Sequence, residues 1–374
     1  MPAEPARELA GISPAGLREQ AAELRERLLA ATARVLDSGW YVLGREVEGF
    51  EREFAAWTGA AHAVGVASGS DALELALRAC GVAAGDEVIV PANALPTAFG
   101  VAASGARVRF ADVRAEDLQI DPADVAGLIG PRTRAVVAVH LYGHPADLGA
   151  LGAVLDRSSV AVIEDCAQAH GASAGGTPVG LTGDAAAWSF YPTKNLGAYG
   201  DGGAVTTADP ELAARVRRLR AYGEQERYLS VEYGVNSRLD ELQAAFLREK
   251  LTHLDGWIAA RRRVAAIYDE LLADCGVVRP PLLAGVEHAR HLYPVQVPDR
   301  DRVFARLRDQ GLPVAIHYPR GAHQQPCFSD RWERPLPVTE QLARSLLSLP
   351  MHSYLADDDA RRIAAAVAAA VRRA

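Results

Sequence analysis

Seven short apolar runs, separated by helical patterns or tight loops, constrain this chain more than any other feature. They are His62–Val66, Glu87–Val90, Arg107–Val113, Arg134–His140, Val160–Asp165, Ala185–Phe190 and Gly202–Thr207. The first five alternate with helical segments and are continuously apolar. Strands covered by helices on both faces read this way, so the pattern predicts an α/β fold with a mostly parallel central sheet. Two amphipathic helices precede the sheet: Leu17–Leu36, closed by Gly39, and about Glu46–Thr58, ending at Gly59. Others are expected from about Ser70, near Pro96, after Asp121-Pro122, near Asp147, over Arg215–Ala221 and over Leu239–Leu272. From about Leu271 the order becomes strand (HLYPVQV), helix, strand (PVAIHYP), helix, helix. The chain is accordingly divided into a large α/β domain, 1–250, and a smaller C-terminal α+β domain, 251–374.

The balance of residues narrows the function. A formal net charge of −7, with no basic tract interleaved with aromatics, argues against nucleic-acid binding. Cys80, Cys166, Cys275 and Cys327 show no Cys-x-x-Cys spacing and read as reduced thiols, without a disulfide framework or a metal site. The N-terminal MPAEPARELAG has acids and prolines where a signal peptide needs its apolar segment. The uncharged run Val88–Ala106 is broken by Pro91, Asn93, Pro96, Gly100 and Gly105, so it reads as strand, loop and helix. A soluble, cytoplasmic protein without a membrane partner is the expectation.

The chemistry concentrates in Trp188–Gly203, WSFYPTKNLGAYGDGG. Lys194 sits between a strand and a glycine-rich turn, where it is held rigidly and partly desolvated, which favours the nucleophilic free base. The Val160–Asp165 run ends in Glu164-Asp165, at the carboxyl end of a strand where open α/β sheets bind ligands. A lysine and an acid at neighbouring strand ends are the core of a pyridoxal phosphate site. The lysine bonds the cofactor and the acid holds the pyridinium proton. Asp165 could instead cap the next helix.

Gly69 and Ser70 open a helix directly after a strand, an arrangement that offers backbone amides to a phosphate; a plain cap on Ser70 and Asp71 is the alternative. The Ser189 hydroxyl would reach the same phosphate. Gln168 could hydrogen-bond the ring hydroxyl, and His170 is equally well a structural residue. Gly200, Gly202 and Gly203 suit a tight turn close to the cofactor. In YGVNSRLDELQAA, Asn236 has no role by spacing alone, because Ser237 could simply cap a helix.

Together SGSDALELAL, GDEVIVPAN, HLYGHPADL, IEDCAQAHG, SFYPTKNLGAYGDGG, GVNSRLDELQAAFLREKL and SLPMH resemble the DegT/StrS-type sugar aminotransferases, in the family's order and over nearly the whole chain. The resemblance implies the fold type I architecture of pyridoxal phosphate-dependent transferases. It makes Lys194 the cofactor-bonding lysine and proton shuttle, pairs Asp165 with the pyridine nitrogen and Gln168 with the ring hydroxyl, and gives the phosphate to Gly69, Ser70 and Ser189. Asn236 would reach the phosphate of the other subunit, so a homodimer with shared active sites is implied. Leu95 stands in PANALPT where the family commonly has an aromatic on the ring face, and would pack there without the quadrupole contribution. Lysine at 194 speaks against the similar dehydratase branch, which carries histidine.

The implied reaction moves an amino group from L-glutamate to a nucleotide-linked keto-deoxysugar in amino-sugar and antibiotic biosynthesis. SFYPTKN with GDGG leans to C3 of a dTDP-3-keto-6-deoxyhexose, with Tyr191, Arg238, His317 and Tyr318 as candidate substrate contacts. Amination at C4, or of a keto-cyclitol with glutamate or glutamine, remains the alternative. A non-catalytic sensor that binds the cofactor or a sugar nucleotide is more remote. A nicotinamide oxidoreductase is opposed by GVASGSDA, which lacks Gly-x-Gly-x-x-Gly spacing.

Overall fold

The computed structural model describes residue 9 and residues 11–279, 283–328 and 334–373. The seven apolar runs form one sheet in the spatial order His62–Val66, Gly203–Thr207, Ala185–Ser189, Ala161–Asp165, Thr133–Val139, Glu87–Pro91, Arg107–Ala111. Neighbours are parallel except at Gly203–Thr207, which runs antiparallel to the strands on either side. A parallel return from Ser189 would need a crossover helix. The segment between Ser189 and Gly203 is a loop, so the chain reverses and the lysine loop lies over the carboxyl ends of the parallel strands.

Both faces of the sheet are covered. Val64, Val66, Val88, Val90, Val108 and Val205 point into one core with helices Gly69–Ala79, Leu95–Ala103 and Pro210–Leu219. Their alternating neighbours face two cores on the other side. One is closed by Pro122–Leu128 and Leu148–Val154, the other by Leu17–Ser38, Arg45–Thr58 and Glu241–Leu251. Asp121 and Asp147 cap their helices, accepting Ala123 N–H and Ala150 N–H at 2.9 Å each.

The C-terminal part has its own core, where helices Leu254–Leu271, Arg300–Asp309 and Asp357–Arg372 cover an antiparallel pair, Tyr293–Gln296 with Leu346–Leu349. Two expectations need correction here. PVAIHYP forms no strand and contributes only a single bridge, Ala315 to Ser348, because Pro313 and Pro319 have no N–H to give a ladder. The partner of the first strand is Leu346–Leu349. The long helix over Leu239–Leu272 is two helices, Glu241–Leu251 and Leu254–Leu271, interrupted at Thr252 and His253. Among the described residues no helix is long and apolar enough to cross a membrane.

Candidate active site

Sheet register brings the site together. Val66, Gly203 and Ser189 lie side by side, and Asp165 pairs with Ala187 one strand further on. Where these strands end, the first turn of Gly69–Ala79, Ser189, Asp165 and Lys194 line a cavity of about 710 Å³, a size ordinary for cofactor and substrate pockets.

At one end the cavity offers an anion cradle. Ser68, not Ser70, caps the helix, its Oγ accepting Asp71 N–H at 3.1 Å. The Gly69 and Ser70 amides, which have no intrahelical acceptor, remain at the positive end of the helix dipole. The cradle depends on missing side chains. A Cβ on Gly69 would stand 2.6 Å from Ser189 Cβ, and one on Gly203 would stand 2.2 Å from the Ser68 carbonyl oxygen. Both glycines let strand, helix and serine crowd around one point. Ser237 secures the arrangement from behind, donating to Asp71 Oδ2 at 2.6 Å and accepting Ala67 N–H at 3.0 Å.

Further along the cavity stands Asp165. Its Oδ2 accepts the Thr97 hydroxyl at 2.7 Å and its Oδ1 accepts Ala167 N–H at 3.0 Å, which fixes the carboxylate plane. Gln168 is oriented just as firmly. Tyr142 N–H donates to its Oε1 at 2.6 Å, so that atom is the oxygen and the amide NH₂ remains as a donor. Lys194 is partly buried; desolvation lowers its pKa from 10.5 to about 8, with the Asp165 charge pulling the other way. Strand alternation sends Glu164 to the opposite side. There it accepts the amides of Gly180, Thr182 and Gly183 and bonds His140 at 2.9 Å. His140 Nδ1 accepts Ala146 N–H, so Nε2 carries the proton given to Glu164. The His140, Glu164, Cys166 cluster therefore has no imidazole lone pair for a metal. His170 is buried among Phe54, Trp188 and Phe190. Burial, then the Lys194 and Arg261 charges, lower it to about 3.

The outer wall comes from elsewhere in the chain: Pro14 from the N-terminal turn, Leu17 from the start of the first helix, and His291, His317, Tyr318 and Met351 from the C-terminal part. His317 Nδ1 meets Ser348 Oγ at 2.9 Å, and the His317 carbonyl accepts the Tyr142 hydroxyl at 2.5 Å. Burial raises Tyr318 to about 12, helped by the Asp165 charge, while the Gln168 side chain draws it down.

Of the residues expected at the site, Gly69, Ser70, Asp165, Gln168, Ser189, Tyr191, Lys194, His317 and Tyr318 share this cavity. Three do not. Leu95 packs against the sheet core, and Pro96 and Thr97 take its place on the wall. The helix starts at Leu95, which turns that side chain inward. Asn236 is exposed outside the cavity, and Arg238 lies with its guanidinium 5.8 Å from the Tyr222 ring centre. Thr97, Ser68 and Tyr142 were missed. A Thr two residues into a helix facing the strand-end acid was the available signal for Thr97, whereas the Tyr142 amide had none.

The donor set fits pyridoxal phosphate: an amide cradle for the phosphate, an oriented carboxylate, an amide donor and a depressed lysine in one cavity. Fold and site define a pyridoxal phosphate-dependent aminotransferase. The DegT/DnrJ/EryC1/StrS aminotransferase family matches residues 22–368. The chain is 47% identical over 349 residues to a dTDP-3-amino-3,4,6-trideoxy-alpha-D-glucose transaminase of Streptomyces venezuelae, covering 92% of each chain. It is 42% identical to a dTDP-3-amino-3,6-dideoxy-alpha-D-galactopyranose transaminase of Aneurinibacillus thermoaerophilus, covering 94% of this chain and 97% of the other. The crystal structure of S. venezuelae DesV in complex with a ketimine intermediate superposes with a TM-score of 0.93 at 45% identity, over 96% of this chain and 98% of that one. The chain belongs to the DegT/DnrJ/EryC1/StrS family. It is a sugar aminotransferase.

Proposed function

We propose that this enzyme transfers an amino group from L-glutamate to C3 of a dTDP-linked 3-keto-6-deoxyhexose. The observation that carries the chemistry is the meeting of Lys194, Asp165 and the Gly69–Ser189 cradle in one cavity. The position on the sugar is supported by the two relatives, both of which make 3-amino sugars. Bound pyridoxal phosphate would supply the carbon that takes up the donor's nitrogen and a ring that stores the electron pair left behind when the α-proton is removed.

The protein does the rest. Gly69 and Ser70 amides with Ser189 Oγ hold the phosphate, and Gln168 donates to the ring hydroxyl. Asp165, held by Thr97, keeps a proton on the ring nitrogen. Lys194, with its pKa near 8, is neutral often enough at physiological pH to take the α-proton of the amino acid. In its protonated form it would hand that proton to the cofactor's reactive carbon, and in the second half-reaction it would take one back from there and deliver it to C3 of the sugar. Tyr191, His317 and Tyr318 face the substrates, and apolar Pro96 covers one side of the cofactor site.

We read the working unit as a cytoplasmic homodimer. Trp40, Tyr41, Tyr228 and Tyr233 are exposed at 63%, 54%, 83% and 94%, rings that a subunit interface would cover. In that reading Asn236, exposed outside its own cavity, reaches the phosphate of the neighbouring subunit.

The experiment is product analysis after mixing enzyme, cofactor, L-glutamate or L-glutamine, and a 3-keto dTDP-6-deoxyhexose, a 4-keto dTDP-6-deoxyhexose or a keto-cyclitol. A 3-amino product with the visible cofactor band bleached by glutamate is expected. Turnover of the 4-keto sugar alone, or of a keto-cyclitol alone, overturns the assignment. A band that ignores glutamate and bleaches with glutamine replaces the donor.

A further inference from the structure

Lys250 is a fully buried amine beside the loop that carries Lys194, and catalysis as described makes no use of it. It lies in helix Glu241–Leu251 with none of its surface exposed. Its Nζ donates to the Gly197 carbonyl at 2.6 Å and sits 3.7 Å from the centre of the Tyr199 ring. Burial lowers its pKa from 10.5 to about 7. A lysine is costly to enclose, and an apolar side chain of like volume would fill the space without that cost. The partners it has found explain its presence, because both belong to the loop that carries Lys194.

Three residues on one face of that helix grip this loop. Gln243 accepts Tyr199 N–H at 2.8 Å and donates to the Tyr199 carbonyl at 3.3 Å. Phe246 meets the Tyr199 ring edge-on at 5.5 Å. Lys250 takes Gly197. The spacing of three and four residues is that of a single helical face.

The loop itself transmits position. Lys194 N–H donates to Tyr191 at 2.8 Å, and Ala198 N–H returns to Phe190 at 2.7 Å. Gly197 lies so close to Pro192 that a Cβ would come within 2.3 Å of the Pro192 carbonyl oxygen. A displacement of Gly197 therefore presses on Pro192, two residues before Lys194. Charge does not carry the effect, since burial and Asp165 alone account for the Lys194 shift.

We propose that Lys250 is a positioning residue for the transamination reaction, holding the Gly197–Tyr199 arm of the loop so that Lys194 meets the cofactor's reactive carbon. This rests on the reading of Lys194 as the cofactor-bonding lysine.

The test compares wild type, K250M and Q243A. The apoproteins are titrated with pyridoxal phosphate, and the visible band of each loaded protein is followed against pH. Wild type comes first: absence of a cofactor band there removes the Lys194 reading itself. Given a wild-type band, K250M is expected to bind pyridoxal phosphate about five- to tenfold more weakly. The pH midpoint of its band shifts, and kcat drops about tenfold with the KM for the sugar nucleotide within twofold. At neutral pH its melting temperature should stay near wild type, because methionine fills the same volume. Q243A, which cuts a partly exposed leg of the same grip, should shift cofactor affinity and band midpoint in the same direction by less. Should K250M fail to fold, Q243A decides alone. Wild-type affinity and band midpoint in K250M, or in Q243A where it decides, overturn the proposal, whatever the stability.

Discussion

The inner half of the cavity is made by strand ends of a single sheet, whereas its outer half is assembled from segments as far apart in sequence as Pro14 and Met351. The inner half holds its side chains by backbone register and short hydrogen bonds: Thr97 to Asp165, Tyr142 N–H to Gln168, helix amides around Ser189. The outer half closes by packing between the C-terminal part and a turn whose Ser13 carbonyl meets His352 Nε2 at 3.0 Å. Chemistry common to all transamination belongs on the rigid half, and discrimination between sugars on the half whose walls can change without moving the sheet. Substitutions in the two halves should therefore fail in different ways.

The largest separation is expected at Lys194. K194A should lower kcat by about 10⁴-fold or more and abolish the visible band. Sugar-nucleotide binding, measured by calorimetry, should stay within a few-fold of wild type. Loss of sugar binding together with the band would mean that the halves are not independent.

G203A attacks the inner half through space alone. The new methyl would lie 2.2 Å from the Ser68 carbonyl oxygen and 2.8 Å from the Gly69 nitrogen, both backbone atoms that cannot swing aside. The cradle must open, at a cost of about 1–3 kcal/mol. Pyridoxal phosphate affinity should fall about ten- to hundredfold, read by equilibrium dialysis, with a lowered melting temperature. Unchanged cofactor affinity would show that the phosphate is held elsewhere.

H317A is the counterpart in the outer half. It removes the imidazole bonded to Ser348 and should raise the KM for the sugar nucleotide about tenfold, in keeping with one lost polar contact of about 1 kcal/mol or somewhat more. The Kd for pyridoxal phosphate should not move. A shift in cofactor affinity as large as that of G203A would erase the distinction.

The same division decides what was legible in the sequence. The sheet, its flanking helices and the inner residues were readable because each rests on local pattern. One apolar run ends in Asp165 and another carries Ser189 next to its end, glycines flank the tight turns, and Lys194 lies in a loop that returns to the central sheet without a helix. The outer half was readable only at His317 and Tyr318, and then by resemblance. Pro14, His291 and Met351 reach the cavity through tertiary packing that no periodicity encodes. The misplacement of Leu95 has a similar origin. The order of residues in PANALPT was plain, but which of them faces the cavity depends on where the helix begins. The expected strand at PVAIHYP failed for a local reason, its prolines, that the apolar pattern concealed.

The smallest effect lies beneath the inner half, at Lys250, and concerns stability. Its folded-state pKa is lowered to about 7, below the 10.5 of an exposed lysine. Between those values the unfolded chain holds a proton that the folded protein has released, so this residue makes unfolding harder as pH rises from 7 towards 10. Below pH 7 both states are protonated and the folded protein carries the full cost of a buried charge. K250M has no such dependence, and all other titrating groups are shared by the two proteins. Melting temperatures measured in parallel should therefore show wild type gaining on K250M by a few degrees from pH 7 to pH 9, and the gain should cease below pH 6. A difference that stays flat across this range would mean that the ammonium form is fully accommodated by Gly197 and the Tyr199 ring. Lys250 would then grip the loop as a cation at every pH, and the inner half would be pinned by a charge.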